Sequence, residues 1–273
     1  MQNILKTVMI VRVLWLALGL LVIASLIPKQ YKQKFIVAGI GWFFFSAHWI
    51  TQLPYYYEIS DYINVVLTLL ASFVSVFMGY VLIIQDKSIP KNITTSLFMA
   101  TTAAAVGGLS YFLFSEIPEM RTWLISTVVA HTIWLASLFG IMITQIDWNM
   151  VAVNGYRVEI ILACTAIESI ALFTGIIACV RAPIKRLASA FLVSVPVIYV
   201  LNLIRNVFVI NAYGMLWFGD PDASFYIAHT IISKTGSLIA LFIIAHGVLK
   251  ILPEIIDMID GILNMLRGIF NAG

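Results

Sequence analysis

Charge is what this chain has least of: Lys, Arg, Asp and Glu make up 11% of its 273 residues, where a soluble domain carries about 25%. So few charges cannot coat a soluble globule. The net charge of +3 is scattered among short segments, which excludes a nucleic-acid-binding surface. Cysteine is nearly absent too, with only Cys164 and Cys179. If both lie on one helix, the intervening rise of roughly 22 Å is far beyond disulfide reach, so Cys164 is a free thiol or an intermolecular partner. There is no glycine-rich phosphate loop, no zinc-ligand spacing and no serine triad. The chain therefore calls for no metal and no cofactor.

Apolar residues dominate instead, at 62% of the chain, with a mean hydropathy of +1.01. This predicts an all-α polytopic membrane protein. Apolar runs cover residues 13–27, 35–52, 62–85, 93–115, 123–145, 164–180, 187–212 and 225–250. Each approaches the ~20 residues needed to cross ~30 Å of hydrocarbon, giving about eight transmembrane helices. Lys6 and Arg12 precede the first run, but no small-residue cleavage site follows it, so it reads as a span rather than a signal peptide.

Loop charge orients the C-terminal half in a cell membrane. Arg181, Lys185 and Arg186 mark a cytoplasmic connection, and residues 213–224, with Trp217, Phe218, Asp220 and Asp222 but no Lys or Arg, mark an outer one. Lys29, Lys32 and Lys34 conflict with the matching assignment of the N-terminal half. After Pro253 an apolar stripe of Ile255, Ile259, Ile262, Leu266 and Ile269 opposes Glu254, Asp257, Asn264 and Arg267. This predicts an amphipathic interfacial helix over 253–273. It follows a single transmembrane domain, 1–252, with a catalytic core at about 146–250.

The organising stretch is VAVNGYRVEIILACTAIES, residues 151–169. Asn154-Gly155 between alternating residues predicts a short extracellular β-hairpin, because both turn residues tolerate φ > 0. Cys164 then opens an apolar helix for which Thr165 can serve as N-cap. A thiol at a helix N-terminus is favoured as thiolate. The competing reading is an inert cysteine packed as a small hydrophobe.

Polar residues inside spans are costly and mark candidate sites. In the next span Asn202, Arg205, Asn206 and Val209 follow an i, i+3, i+4, i+7 spacing and share a face. In the last span His229 follows the outer loop closely. Arg205 and His229 each lie roughly 6 to 12 Å below the outer boundary, a depth shared with Cys164. These residue types suit acyl transfer: Cys164 attacks a carbonyl, His229 moves protons, and Arg205 stabilises a thiolate or oxyanion. A structural Arg205 satisfied by carbonyls is the alternative, and a helix-bound histidine has a similar one. Glu168 and Lys234 are placed at similar depth and are expected to pair, directly or through one polar bridge, as the floor of the site. Arg205 is the rival partner for Glu168.

Three blocks, ILACTAIES, APIKRLASAFLVSVPVIYVLNLIRNVFVI and FYIAHTIISKTGSLIAL, resemble the exosortase/archaeosortase family. The resemblance covers the C-terminal half, and its specific element is the Cys, Asn-x-x-Arg-Asn, His series. It implies a membrane-embedded transpeptidase with Cys164 as nucleophile, Arg205 as the essential arginine and His229 as the third basic residue. It also implies substrates that are surface proteins bearing a C-terminal signal of a Pro-Gly-Phe-type motif, an apolar helix and a basic tail. The protein would be held as a thioester on Cys164 and passed to an amine-bearing membrane phospholipid at the outer face. Two departures stand out: the family often has Gly two residues after the Cys, where this chain has Ala166, and the His229 position is Arg in some members.

Two other classes stay open. A transporter would use Glu168, Arg205, His229 and Lys234 as an ion path, and a hydrolytic intramembrane protease would use Cys164 with water as acceptor. His48 and His131 lack partners at metal-ligand spacing and are expected to make interhelical hydrogen bonds. The Tyr55-Tyr56-Tyr57 run and Trp42, Trp49, Trp123 and Trp148 read as interfacial aromatics. Asn92-Ile93-Thr94 is a sequon abutting a span, and Asp220-Pro221-Asp222 reads as a solvated turn.

Overall fold

The computed structural model describes residues 2–28, 31–84 and 91–271. Lys29 and the side chain of Asn92 lie outside the described residues. The described chain is almost wholly helical, with α1 Gln2–Leu26, α2 Gln33–Glu58, α3 Tyr62–Ile84, α4 Lys91–Glu116 and α5 Pro118–Leu138 before one small sheet. After the sheet come a 3-10 turn at Leu162–Cys164, α6 Ile167–Cys179, α7 Ile184–Gly214, α8 Pro221–Phe225, a π-helical stretch Tyr226–Ile232, α9 Ser233–Ile251 and α10 Glu254–Asn271.

Among the described residues five helical segments are long and apolar enough to cross a membrane: Gln33–Glu58, Tyr62–Ile84, Ile93–Glu116, Ile184–Gly214 and Pro221–Ile251. Val11–Leu26 and Ile167–Cys179 are apolar but shorter. Length and hydropathy thus support a polytopic chain without reproducing the full count of eight.

The chain divides into two compact units. The first comprises residues 1–109, 178–180 and 254–273. Its core gathers Leu21, Ala38, Trp42, Met78, Leu82, Leu97 and Ala105. Gly39 and Gly79 let α2 and α3 touch, since a Cβ on either would lie 2.9 Å from the other's carbonyl oxygen. Such close approach is the packing device of helices whose surroundings are as apolar as their own side chains. Buried hydroxyls find interhelical partners: Ser46 and Ser72 share a 2.8 Å hydrogen bond, and Trp42 Nε1 donates to Thr101 Oγ1 at 3.0 Å. Lys34, expected as a loop charge, is buried with its ammonium 3.9 Å from the Phe98 ring centroid.

The C-terminal helix α10 belongs to this unit. Ile255 and Met258 are buried, and Ser96 Oγ donates to the Asp257 carbonyl at 3.5 Å. Part of its apolar stripe is therefore committed to protein.

The second unit comprises residues 110–177 and 181–253. Pro118 opens α5, where its missing N–H costs no hydrogen bond. The helix was expected to run to residue 145 but stops at Leu138. Gly140 adopts φ +70° there, and its N–H donates to Ser137 O while that of Ile141 reaches Ala136 O. This is the glycine-dependent helix stop that leaves Thr144–Asp147 free to become β1. The sheet has three antiparallel strands in the order β1-β2-β3, with β2 at Met150–Val153 and β3 at Tyr156–Glu159. The β2–β3 turn has Asn154 at φ 52° and Gly155 at φ 85°, pairing Val153 with Tyr156. The left-handed turn expected from Asn-Gly therefore forms, within a larger sheet than a lone hairpin.

Val151, Val153 and Ile160 bury against Ile125, Val128, Leu203, Val207 and Ile210 to form the core of this unit. At the end of α7, a Cβ on Gly214 would meet Val153 Cβ at 2.5 Å. Asn154 Nδ2 donates to the Gly214 carbonyl at 3.1 Å. The sheet is thereby seated on α7, and its last strand delivers the chain to Cys164.

Candidate active site

Cys164 was expected to open its helix, and it does not. It ends the 3-10 turn Leu162–Cys164, and α6 begins three residues later at Ile167. Thr165 Oγ1 donates to Leu162 O at 2.7 Å and accepts the Ile167 N–H at 3.4 Å, which closes the turn. Ala166 between them adopts φ +60°. That left-handed residue breaks helical continuity, so the favoured thiolate and the helical rise assumed from Cys164 to Glu168 both lose their basis. A Cβ is disfavoured in that conformation, which is the local cost of having Ala166 there.

Two asparagines hold the cysteine backbone. Asn202 Nδ2 donates to the Cys164 carbonyl at 2.8 Å, and Asn206 Nδ2 donates to the same oxygen at 3.0 Å. Both are buried on α7, one helical turn apart, so their amides converge on one acceptor. With both lone pairs of that carbonyl engaged, the clamp adds to the turn's own backbone bonds, Cys164 N–H to Ile161 O at 2.8 Å and Thr165 N–H to Leu162 O at 3.0 Å. The Cys164 side chain is half-buried and packs beside Leu162 and Tyr199 against the core of this unit. Neither cysteine is in a disulfide.

Next to this turn lies a cavity of about 530 Å³ between α6, α7 and α9. Glu168, Asn202, Arg205, Ser233 and Lys234 contribute polar atoms to its wall, and Ile198, Leu201, Leu241 and Ile244 contribute apolar ones. Ala163, inside the Cys164 turn, and Ala166, just after it, also line the cavity, whereas Cys164 itself does not. The expected direct Glu168–Lys234 pair is not formed among the described residues. The two side chains face one cavity with no ion pair between them, and neither pairs with Arg205. The break at Ala166 and the π-helical stretch before Ser233 change the rise and rotation on which that pairing relied.

His229 is carried by the π-helical stretch Tyr226–Ile232, a rare geometry that often accompanies functional sites. Its ring stacks on Phe225 with centroids 5.0 Å apart and planes inclined by 9°. Phe225 in turn meets Tyr213 edge-on at 5.4 Å, and Tyr213 meets Tyr156 of β3 at 5.3 Å. An aromatic chain thus ties His229 to the sheet that delivers Cys164. His229 does not line the cavity; Ile232 and Ser233, one turn later, do. Arg205 and Lys234 lie within Coulombic reach of the ring.

Among the other histidines, His131 hydrogen-bonds Tyr199 OH through Nδ1 at 2.6 Å, linking α5 to α7 as expected. Asp220 caps α8 by accepting the Ala223 N–H at 2.8 Å. Ser233 was not foreseen. It is 6% exposed, lines the cavity, and its hydroxyl has no hydrogen-bond partner among the described residues. Its signal in the sequence was the run of small residues Ser233, Gly236, Ser237 and Ala240 on one face of the last long helix.

The model of the transmembrane exosortase family matches residues 6–246. The chain belongs to this family. It is 28% identical to archaeosortase A of Haloferax volcanii over 291 aligned positions, covering 93% of each chain. It is 23% identical to archaeosortase A of Natronomonas pharaonis, covering 88% of this chain and 84% of that one. No solved structure matches it. The family match reaches well into the N-terminal half, where only apolar character had been legible.

Proposed function

We propose that this exosortase-family chain is a membrane-embedded cysteine transpeptidase acting on surface proteins with a C-terminal sorting signal. The observation that carries this reading is the double asparagine clamp on the Cys164 carbonyl beside an amphipathic cavity. A half-buried cysteine held in a non-helical turn by two buried amides is costly scaffolding for an inert side chain. In this reading Cys164 attacks a peptide carbonyl just outside the substrate's apolar helix, and Arg205 neutralises the charge that develops on oxygen. His229 gives a proton to the leaving amine. The resulting thioester is resolved by an amine on a membrane phospholipid. Eight spans with the site at the outer face would bring these groups level with the substrate's cleavage point.

The test is a purified enzyme with a signal-bearing substrate. Cys164→Ala should abolish processing and Cys164→Ser should lower it by at least about 100-fold, because an alcohol is far less nucleophilic near neutral pH. Cys179→Ala should leave it nearly unchanged. Trapped intermediate should be released by hydroxylamine as the hydroxamate. Full processing by Cys164→Ala would remove Cys164 as the nucleophile, no processing by the unaltered enzyme would favour the transporter class, and a free carboxylate as sole product would mean hydrolysis.

A further inference from the structure

The cavity has two ends of opposite character. From Ile198 to Arg205 on α7 is roughly 10 Å, and from Ser233 to Ile244 on α9 roughly 16 Å, so polar and apolar linings occupy different depths. At the polar end Glu168, Arg205 and Lys234 make neither hydrogen bonds nor ion pairs among the described residues, and the buried Ser233 hydroxyl is unpartnered. Charges and a hydroxyl left without partners at membrane depth are costly unless something else completes them. What would complete them carries a negative and a positive group close together, attached to a long apolar body.

An apolar helix does not fit this description. Its apolar side chains would bring no countercharge to Glu168, Arg205 or Lys234. One acyl chain with a zwitterionic headgroup does fit. Ile204 and Leu238 on the cavity wall are 47% and 58% exposed, which leaves a side open for a second chain in the bilayer.

We propose that this cavity binds an amine-bearing phospholipid. Lys234 and the Ser233 hydroxyl receive its phosphate, Glu168 receives its ammonium group, and the Ile198–Ile244 end holds one acyl chain. This rests on the transpeptidase reading and gives its second half-reaction an address, since Glu168 lines the cavity together with Ala163 and Ala166, which lie on either side of Cys164 in the chain. Glu168 takes a proton from the ammonium, and the freed amine attacks the thioester carbonyl carbon. The C–N bond forms, the C–S bond breaks with its electron pair on Sγ, and the remaining excess proton passes from nitrogen to the thiolate. The products are an amide-linked lipid and the free thiol.

The test separates binding from transfer. Native mass spectrometry of full-length Cys164→Ala protein in dodecyl maltoside, with dioleoyl phosphatidylethanolamine or dioleoyl phosphatidylglycerol added, should show one retained lipid and a preference for phosphatidylethanolamine of about tenfold, the scale of one charge-assisted hydrogen bond. Adding Lys234→Met should weaken phosphatidylethanolamine binding by about tenfold, and Lys234→Arg should restore most of it. Glu168→Gln should erase the preference between headgroups. Millimolar inorganic phosphate should not displace the lipid. Equal binding of the two lipids, unchanged binding by Lys234→Met, or full displacement by inorganic phosphate would each overturn the assignment, the last reducing the cavity to an anion site. If the binding pattern holds but wild type forms no Cys164 thioester, the lipid site stands and the transpeptidase reading fails.

Discussion

At Cys164 the decisive chemistry lies in the backbone on either side of the thiol. Asn202 and Asn206 hold its carbonyl, Thr165 closes the turn, and Ala166 pays a conformational penalty to start α6. A left-handed alanine costs about 1–2 kcal/mol relative to ordinary helical geometry, and glycine escapes most of that while losing about 0.5–1 kcal/mol in chain entropy. Ala166→Gly should therefore stabilise the protein by roughly 0.5–1 kcal/mol, read as a higher apparent Tm in detergent. Ala166→Val should lower it, because a branched side chain at φ +60° is worse than alanine. A destabilising glycine would mean that the turn is not left-handed in the membrane. The same reasoning explains why the Asn-x-x-Arg-Asn spacing was readable as one face, whereas its acceptor was not: helical periodicity fixes direction from α7, but the Cys164 carbonyl is 38 and 42 residues away in the chain.

Among the elements, the sheet and α7 act as a seat for the nucleophile's turn. Contact between Gly214 and Val153 brings the strand pair onto the helix end, where any Cβ would collide at 2.5 Å. Overpacking of this kind typically costs about 1–3 kcal/mol. Gly214→Ala should be destabilising by that amount and should slow substrate processing, because β3 leads directly to the Cys164 turn. Val153→Gly, which removes the colliding Cβ, should recover part of the loss, giving a clear coupling in a double-mutant cycle on apparent Tm. Additive losses would show that the contact is not made. Asn-Gly was enough to predict β2 and β3, since turn chemistry is local. Strand β1 was hidden inside an apolar run because Ile141, Met142 and Ile143 are equally at home in a span, and only the stop at Gly140 separates them from α5.

For the whole molecule, the two units draw on distant parts of the chain, and α10 joins the N-terminal helices across more than a hundred intervening residues. Met258 Sδ sits 3.9 Å from Cys179 Sγ and covers it. Ending the chain at Pro253 should lower apparent Tm and should expose Cys179 to maleimide in a Cys164→Ala background, measured by mass spectrometry. Unchanged labelling would place α10 on the membrane surface alone, as its amphipathic pattern by itself suggests.

The sequence by itself determined the solvent, the helical class, the Asn-Gly turn and the face shared by Asn202, Arg205 and Asn206. Each follows from composition or from a local period, and neither needs a distant partner. It also carried the family resemblance in its C-terminal blocks. Tertiary structure decided that Asn202 and Asn206 grip the Cys164 carbonyl, that Glu168 and Lys234 face a cavity without pairing, that Ser233 joins them, and that α10 packs on protein. The placement of Glu168, Ser233 and Lys234 depends on a left-handed residue at 166 and on a π-helical stretch at 226–232. Both alter the rotation of the residues that follow, and an assumption of uniform α-helix carries no trace of either.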